Sequence, residues 1–362
     1  MRHKTYLLSL VLLLSLGSAA FAQNLALQNN SVLNSLQSIT ASTIPPSGDV
    51  NPYGVVVVPN GFPAGGSTAT GDVLVSNFNS NSNLQGTGTT IVNITPTGQQ
   101  TVFATSTLIG LDTALGVLSR GFVIVGNLPV TYPGGVATPG QGSLQVFDRN
   151  GNLVTTINDA KLLDSPWDLT VYDQGATAQV FVSNVLSGTV TRLNLSVGAA
   201  SVTVVSKTQI GSGYATAPNA AAVVVGPTGL AYNSSNNTLY VASTGDNKIF
   251  GIPDAGQRSA SGGQGFVVFG NQTVLHGPLG LALTPNGNLI AANGDAVFAG
   301  GTQNELVEFT QQGFLLAQYE MDAGAPGSAF GVASIALQDV IHFAATDDNL
   351  STVTIWTIRV GP

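Results

Sequence analysis

In a chain of 362 residues with 8% charged residues, three His and no Cys, few side chains can do chemistry. Asp168 is the most suggestive of them. It sits in the phrase Pro166-Trp167-Asp168-Leu169, where the other copies of a recurring phrase end on Gly followed by Val or Leu. A carboxylate accompanied by the amides of Asn127 and Asn184 has the oxygen donors a hard divalent cation such as Ca2+ requires. The same carboxylate could equally be tied down by backbone N–H groups. Other chemistries lack their residues. Nucleophile, phosphate-cradling and His-Glu-x-x-His motifs are missing. The three Glu fall at 305, 308 and 320, so paired-carboxylate hydrolysis would need two Asp. Beyond His3 at the start only His276 and His342 remain, too few for a three-His zinc site.

The elements that must position Asp168 repeat along the chain. The phrase reads Pro52-Tyr53-Gly54-Val55, Ala114-Leu115-Gly116-Val117, Pro166-Trp167-Asp168-Leu169, Pro227-Thr228-Gly229-Leu230, Pro278-Leu279-Gly280-Leu281 and Ala329-Phe330-Gly331-Val332, with third residues spaced by 62, 52, 61, 51 and 51. Each is followed by a second apolar run ending at Asn77, Asn127, Asn184, Ser243, Asn293 or Thr346, then by a third, and often by a Gly turn and a fourth. Four short strands per unit with Asn/Gly/Pro turns, repeated at about 50 residues, is the pattern of a propeller blade. The expectation is an all-β, six-bladed β-propeller of four-stranded blades, with almost no helix outside a weak helical period over 25–36.

The sixth unit stops one strand short of a blade, while residues 23–50 belong to none and include Ser38-Ile39-Thr40. A ring left open would expose strand edges, so the N-terminal segment is expected to supply the closing strand. Residues 51–362 then form the propeller, with extra length in loops at 59–71, 78–88 and 207–222. In such a ring the phrases and the second-strand ends gather at one mouth of the axis. Asn77, Asn127, Trp167, Asp168, Asn184, Ser243, His276, Asn293 and Thr346 are the candidate ligand-binding residues there, and Asp168, Asn127 and Asn184 the candidate metal ligands. The alternative role for the Asn and Ser residues is to bond their own turns.

Arg2, His3 and Lys4, the apolar run from Tyr6 to Leu16 and Ala20-Phe21-Ala22 have the form of a signal peptide cleaved after Ala22. A secreted or periplasmic protein is expected. The apolar run is too short for a membrane span of about 20 residues, and no other segment is long and apolar enough. Without Arg2 and Lys4 the remaining 8 bases face 18 acids, a net charge of −10. That balance, with bases scattered singly, argues against a nucleic-acid partner.

The Pro-x-Gly-Leu openings at 227–230 and 278–281, with Asn237-Thr238-Leu239-Tyr240-Val241-Ala242-Ser243 and Asp246-Asn247-Lys248-Ile249, resemble the NHL-repeat family of six-bladed propellers, in particular its secreted bacterial members. The resemblance covers about residues 50–360. It departs at 77, 127, 184 and 293, where Asn replaces the family's usual Asp. Related gluconolactonase-like and lyase propellers hold a divalent ion on the axis, which makes a cation-dependent lactonase-like or lyase-like enzyme centred on Asp168 the alternative. The low density of ionisable residues around the axis favours a monomeric binding or scaffold module for a protein, peptide or glycan.

Overall fold

The computed structural model describes residues 31–34, 37–219, 222–294, 305–323 and 327–359. The expected signal peptide at 1–22, and most of the expected helical period at 25–36, lie outside them. Six four-stranded antiparallel sheets form a six-bladed β-propeller. The innermost strands are Val50–Val57, Leu111–Leu118, Pro166–Asp173, Pro227–Asn233, Pro278–Leu283 and Ala329–Leu337, numbered here as blades 1 to 6. Helix among the described residues amounts to one 3-10 turn, Pro133–Gly135.

Burial follows each strand's place in its blade. Second strands such as Val73–Asn79, Phe122–Asn127 and Asn288–Asn293 are buried throughout. Each is covered on both faces by neighbouring blades, and so reads as an unbroken apolar run rather than an alternating one. Outer strands such as Gln100–Thr105 and Leu153–Ile157 keep exposed residues. The hydrophobic core is accordingly divided among the seams between blades. Ile124, Val146, Leu169, Val180 and Leu193 fill one seam; Phe269 stacks on Phe309 at 4.5 Å in another.

The ring closes as the missing strand required. Ser38–Ser42 pairs antiparallel with Thr352–Arg359, from Ser38 opposite Trp356 to Ser42 opposite Thr352, and completes blade 6. The chain leading into this strand is latched to blade 5. Ser31 Oγ and Leu33 N donate to Glu308 Oε2 at 2.6 and 3.1 Å, and Val32 N to Oε1 at 3.1 Å. Asn288 Nδ2 adds a bond to the same buried carboxylate at 2.8 Å. Every lone pair that burial strips of water thus finds a donor.

Two sequence expectations are corrected. Residues 207–222 are not wholly loop: Val202–Ser212 is a single outer strand of 11 residues, followed by a small hairpin of Ala217–Asn219 with Val223–Val225. In blade 2 the repeated phrase is displaced by two residues. Leu111 pairs with Asn127 and Leu115 with Val125, as Pro52 pairs with Asn77 and Val55 with Val75 in blade 1. The equivalent of Gly54 is therefore Ala114 and not Gly116, and one extra residue is accommodated in the bulge between Leu111 and Leu115.

Candidate functional site along the ring axis

Pairing places Gly54, Ala114, Asp168, Gly229, Gly280 and Gly331 at one level of the six inner strands. The glycines are needed because the strands almost touch there. A Cβ on Gly331 would run into the Tyr53 carbonyl oxygen, one on Gly280 into that of Phe330, and one on Gly54 would lie 2.6 Å from the Asp112 carbonyl oxygen. Hydroxyls reinforce the level from the second strands. Gly54 N donates to Ser76 Oγ at 2.9 Å, and Ser76 Oγ to the Asp112 carbonyl at 2.6 Å. Asp168 N donates to Ser183 Oγ at 3.0 Å, and Ser183 Oγ to the Thr228 carbonyl at 2.7 Å. Gly331 N donates to Thr346 Oγ1 at 2.8 Å, so Thr346 belongs to this hydroxyl column.

Asp168 performs with its side chain what glycine permits elsewhere. Its Oδ2 accepts from Leu230 N of blade 4 at 2.8 Å, and its Oδ1 from Leu169 N at 2.8 Å. The carboxylate straps two blades together. A second carboxylate, which the displaced phrase concealed, lies close by: Asp112, in the blade 2 bulge, is fully buried. Its Oδ1 accepts from Ala114 N at 3.1 Å, while its Oδ2 has no hydrogen-bond partner. Burial holds the Asp112 carboxyl well above the ordinary carboxylate range, the Ala114 amide opposes this, and the charge of Asp168 adds to the rise. Burial likewise raises Asp168, against the Leu230 and Leu169 amides.

The second-strand ends do gather at one end of the axis, opposite the start of each inner strand, but their side chains turn away from it. Asn77 Nδ2 donates to the Thr43 carbonyl at 3.0 Å and Asn127 Nδ2 to that of Ile109 at 3.1 Å. Asn184 Nδ2 donates to the Leu162 carbonyl at 3.2 Å, and its Oδ1 accepts from Asp164 N at 3.0 Å. Asn293 repeats the arrangement, donating to the Val274 carbonyl at 2.8 Å and accepting from His276 N at 2.9 Å. Ser243 Oγ donates to Asp246 Oδ2 at 2.7 Å. Each Asn pins the loop that enters its own blade through an Nδ2 donor that Asp lacks, and Asn184 and Asn293 use the oxygen on that loop as well. Asn127 and Asn184 are thus committed to lead-in loops and share no hydrogen bond with Asp168. Among the described residues no three His, Cys, Asp or Glu side chains come together as a metal-binding group.

Trp167 is 1% exposed and closes this end of the axis with Tyr53, Phe78 and Phe330. Tyr53 stacks on Phe78 at 4.4 Å and lies 4.5 Å from Phe330 and 5.8 Å from Trp167. Val130, Val223 and Val224, from two added hairpins, pack on the aromatic seal. The other end is open. From the level of Asp168, Gly280 and Gly331 down to Asn60, Ser119 and Asp173 runs a cavity of about 500 Å3, lined by all six inner strands. Its wall includes one carboxylate read from the sequence, Asp168, and one that was not, Asp173, whose Oδ2 accepts from Ser119 N at 2.5 Å. Asp173 carried no signal because it ends an inner strand as turn residues commonly do.

These features define a six-bladed β-propeller with a sealed and an open axial end. In fold it is similar to a luciferin-regenerating enzyme (TM-score 0.53, 12% identity, covering 90% of this chain and 96% of that one). It is similarly close to the calcium-binding protein regucalcin of Agrobacterium tumefaciens strain C58 (TM-score 0.52, 13% identity, 88% and 94%). By sequence the chain matches no protein-family profile and none of the curated proteins compared with it. Identity this low carries the fold and not the chemistry.

Proposed function

We propose that the chain is an exported binding propeller of the NHL-like kind, a monomer that engages a ligand without transforming it. The observation that carries this reading is the engagement of Asp168. Both its oxygens accept backbone N–H groups at 2.8 Å, so the one carboxylate of the glycine level holds blade 3 to blade 4. The Asn side chains that would have joined it in a cation site are occupied by loops. The end predicted to be the mouth is filled by aromatic rings, which leaves surface loops there for a protein, peptide or glycan and the cavity at the opposite end for a smaller group. The leader-like residues 1–22 support export.

The second reading is a cation-dependent lactonase-like or lyase-like enzyme, favoured by the neighbouring carboxylates Asp112 and Asp168. Calcium and magnesium titrations of thermal stability decide between them. An ion that binds only the folded chain stabilises it by about 2.7 kcal/mol at a hundredfold excess over Kd. The binding reading expects no rise in Tm at millimolar ion. A rise reversed by chelator and lost in Asp168→Asn overturns it. N-terminal sequencing of exported material is expected to begin at Gln23.

A further inference from the structure

We propose that Asn60, at the rim of the open axial end, is a self-modification site: the folded chain converts it to aspartate and isoaspartate, with water as the only co-reactant. An Asn followed by Gly carries its own electrophile and nucleophile. The backbone nitrogen of the Gly attacks the Asn Cγ; the N–Cγ bond forms, the Cγ–Nδ2 bond breaks, and the proton of the attacking nitrogen leaves with the amide as ammonia. Water then opens the succinimide ring at either carbonyl, giving aspartate or isoaspartate with no change of oxidation state. Glycine is the follower that permits the attack, because no Cβ shields its nitrogen. A nitrogen whose N–H is bonded to a carbonyl is held in place and keeps its proton, so hydrogen bonding decides which Asn-Gly pairs react.

Asn-Gly occurs at Asn60, Asn150, Asn286 and Asn293. At the last three the nucleophile is tied down. Gly151 N donates to the Asp148 carbonyl at 3.0 Å, Gly287 N to that of Thr284 at 2.8 Å and Gly294 N to that of Gly277 at 3.1 Å. Asn286 Oδ1 also accepts from Thr284 Oγ1, and Asn293 is buried with both halves of its amide engaged. Asn60 differs in each respect. Among the described residues neither Gly61 N nor the Asn60 side chain has a hydrogen-bond partner. Both residues are exposed. A Cβ on Gly61 would meet nothing within 4 Å, whereas one on Gly151 would run into the Phe103 carbonyl oxygen and one on Gly294 into the Leu279 side chain. Gly61, at φ +83°, sits in a turn from Pro59 to Phe62 closed by a single long bond of 3.4 Å, so the pair has the room to reach the attack geometry.

The change falls where it matters to the axis. Asn60 lines the open end of the cavity with Pro59, Ser119 and Asp173. Asp173 is the carboxylate already at that rim, and the reaction adds a second where a neutral amide stood. The isoaspartate product also lengthens the main chain of the turn by one carbon. The entrance therefore becomes more acidic as the protein ages, whatever the cavity takes, so the proposal stands apart from the binding reading.

The test incubates the full chain at mildly alkaline pH, folded below its Tm and, in parallel, unfolded in guanidinium chloride, and follows the Asn-Gly peptides by mass spectrometry. In the folded chain Asn60 is expected to react about tenfold faster than Asn150 and Asn286, each of which must first give up a hydrogen bond, and Asn293 to stay intact. Unfolded, all of them are expected to react at similar rates, because only the dipeptide remains. Ion exchange of the folded chain is expected to show a more acidic species that grows in step with the Asn60 product. Asn60→Gln, whose longer side chain closes the ring poorly, is expected not to form it. Faster reaction at Asn150 or Asn286 than at Asn60 in the folded chain overturns the proposal. An Asn60 that stays intact while the unfolded chain reacts also overturns it, as does the same lead for Asn60 in both states, which would take the selectivity away from the fold. No ion or ligand enters the measurement, so its failure leaves the binding reading untouched.

Discussion

The two ends of the axis are built from the same six strands and differ in what their side chains do. At the end where the inner strands begin, Tyr53, Phe78, Trp167 and Phe330 fill the space with ring centroids 4.4–5.8 Å apart. At the end where they finish, the six strands leave a cavity of about 500 Å3. In a propeller the blades need one another at their seams, not at the axis, so the axis is free to be filled at one end and empty at the other. A seal on one side turns a channel into a cup.

The strongest way to break this contrast is to remove the seal. Trp167→Ala is expected to cost about 3–5 kcal/mol, because a fully buried ring leaves a void its neighbours cannot fill. Ile335→Ala, in the half-buried wall of the open end, is expected to cost about 1 kcal/mol, since that side chain already borders empty space. Urea unfolding of the two variants measures the difference; equal losses would mean that the ends are packed alike.

A narrower probe compares two glycines. Gly331→Ala drives a methyl into the Tyr53 backbone, which cannot move aside without opening the ring, and is expected to cost about 3 kcal/mol. Gly116→Ala meets side-chain tips, Leu169 Cδ1 at 2.6 Å and Val171 Cγ2 at 2.7 Å. Those can rotate, and a loss of about 1 kcal/mol is expected. Near-equal Tm values for the two would contradict the close strand approach at the glycine level.

The last effect is a matter of pH. Asp112 and Asp168 have folded-state pKa values raised above the unfolded value near 3.8. Between that value and the raised ones the folded chain carries the extra protons, so stability falls as pH rises through this window. The slope is at most about 1.4 kcal/mol per pH unit for each carboxyl. Urea midpoints are expected to rise on acidification from pH 7 toward pH 5, and Asp112→Asn to flatten that rise. An unchanged slope in Asp112→Asn would place the proton elsewhere.

The ring and its closure were legible because they rest on local patterns: the repeated phrase, the apolar runs and the one strand too few. Blade 2 was misread by two residues because Leu115-Gly116-Val117 imitates the phrase while the bulge that holds Asp112 leaves no mark in composition. The Asn residues after the second strands were legible as a column, yet their direction depends on the loop each one pins. The seal was invisible for a different reason. Tyr53, Phe78, Trp167 and Phe330 come from three blades, and each alone reads as an ordinary core residue.

The closing strand also dictates an order of events. Thr40 meets Thr354 across 314 residues, so the loop that must be closed spans all six blades, and such non-local pairings form late. While the chain is being made, the first strand is finished long before its partner exists. Its unpaired edge and the unpaired edge of blade 6 are both liabilities during that interval. The two strands of this pair therefore act as a timer: five blades can assemble in sequence, but the ring is complete only after Thr352–Arg359 has been synthesised.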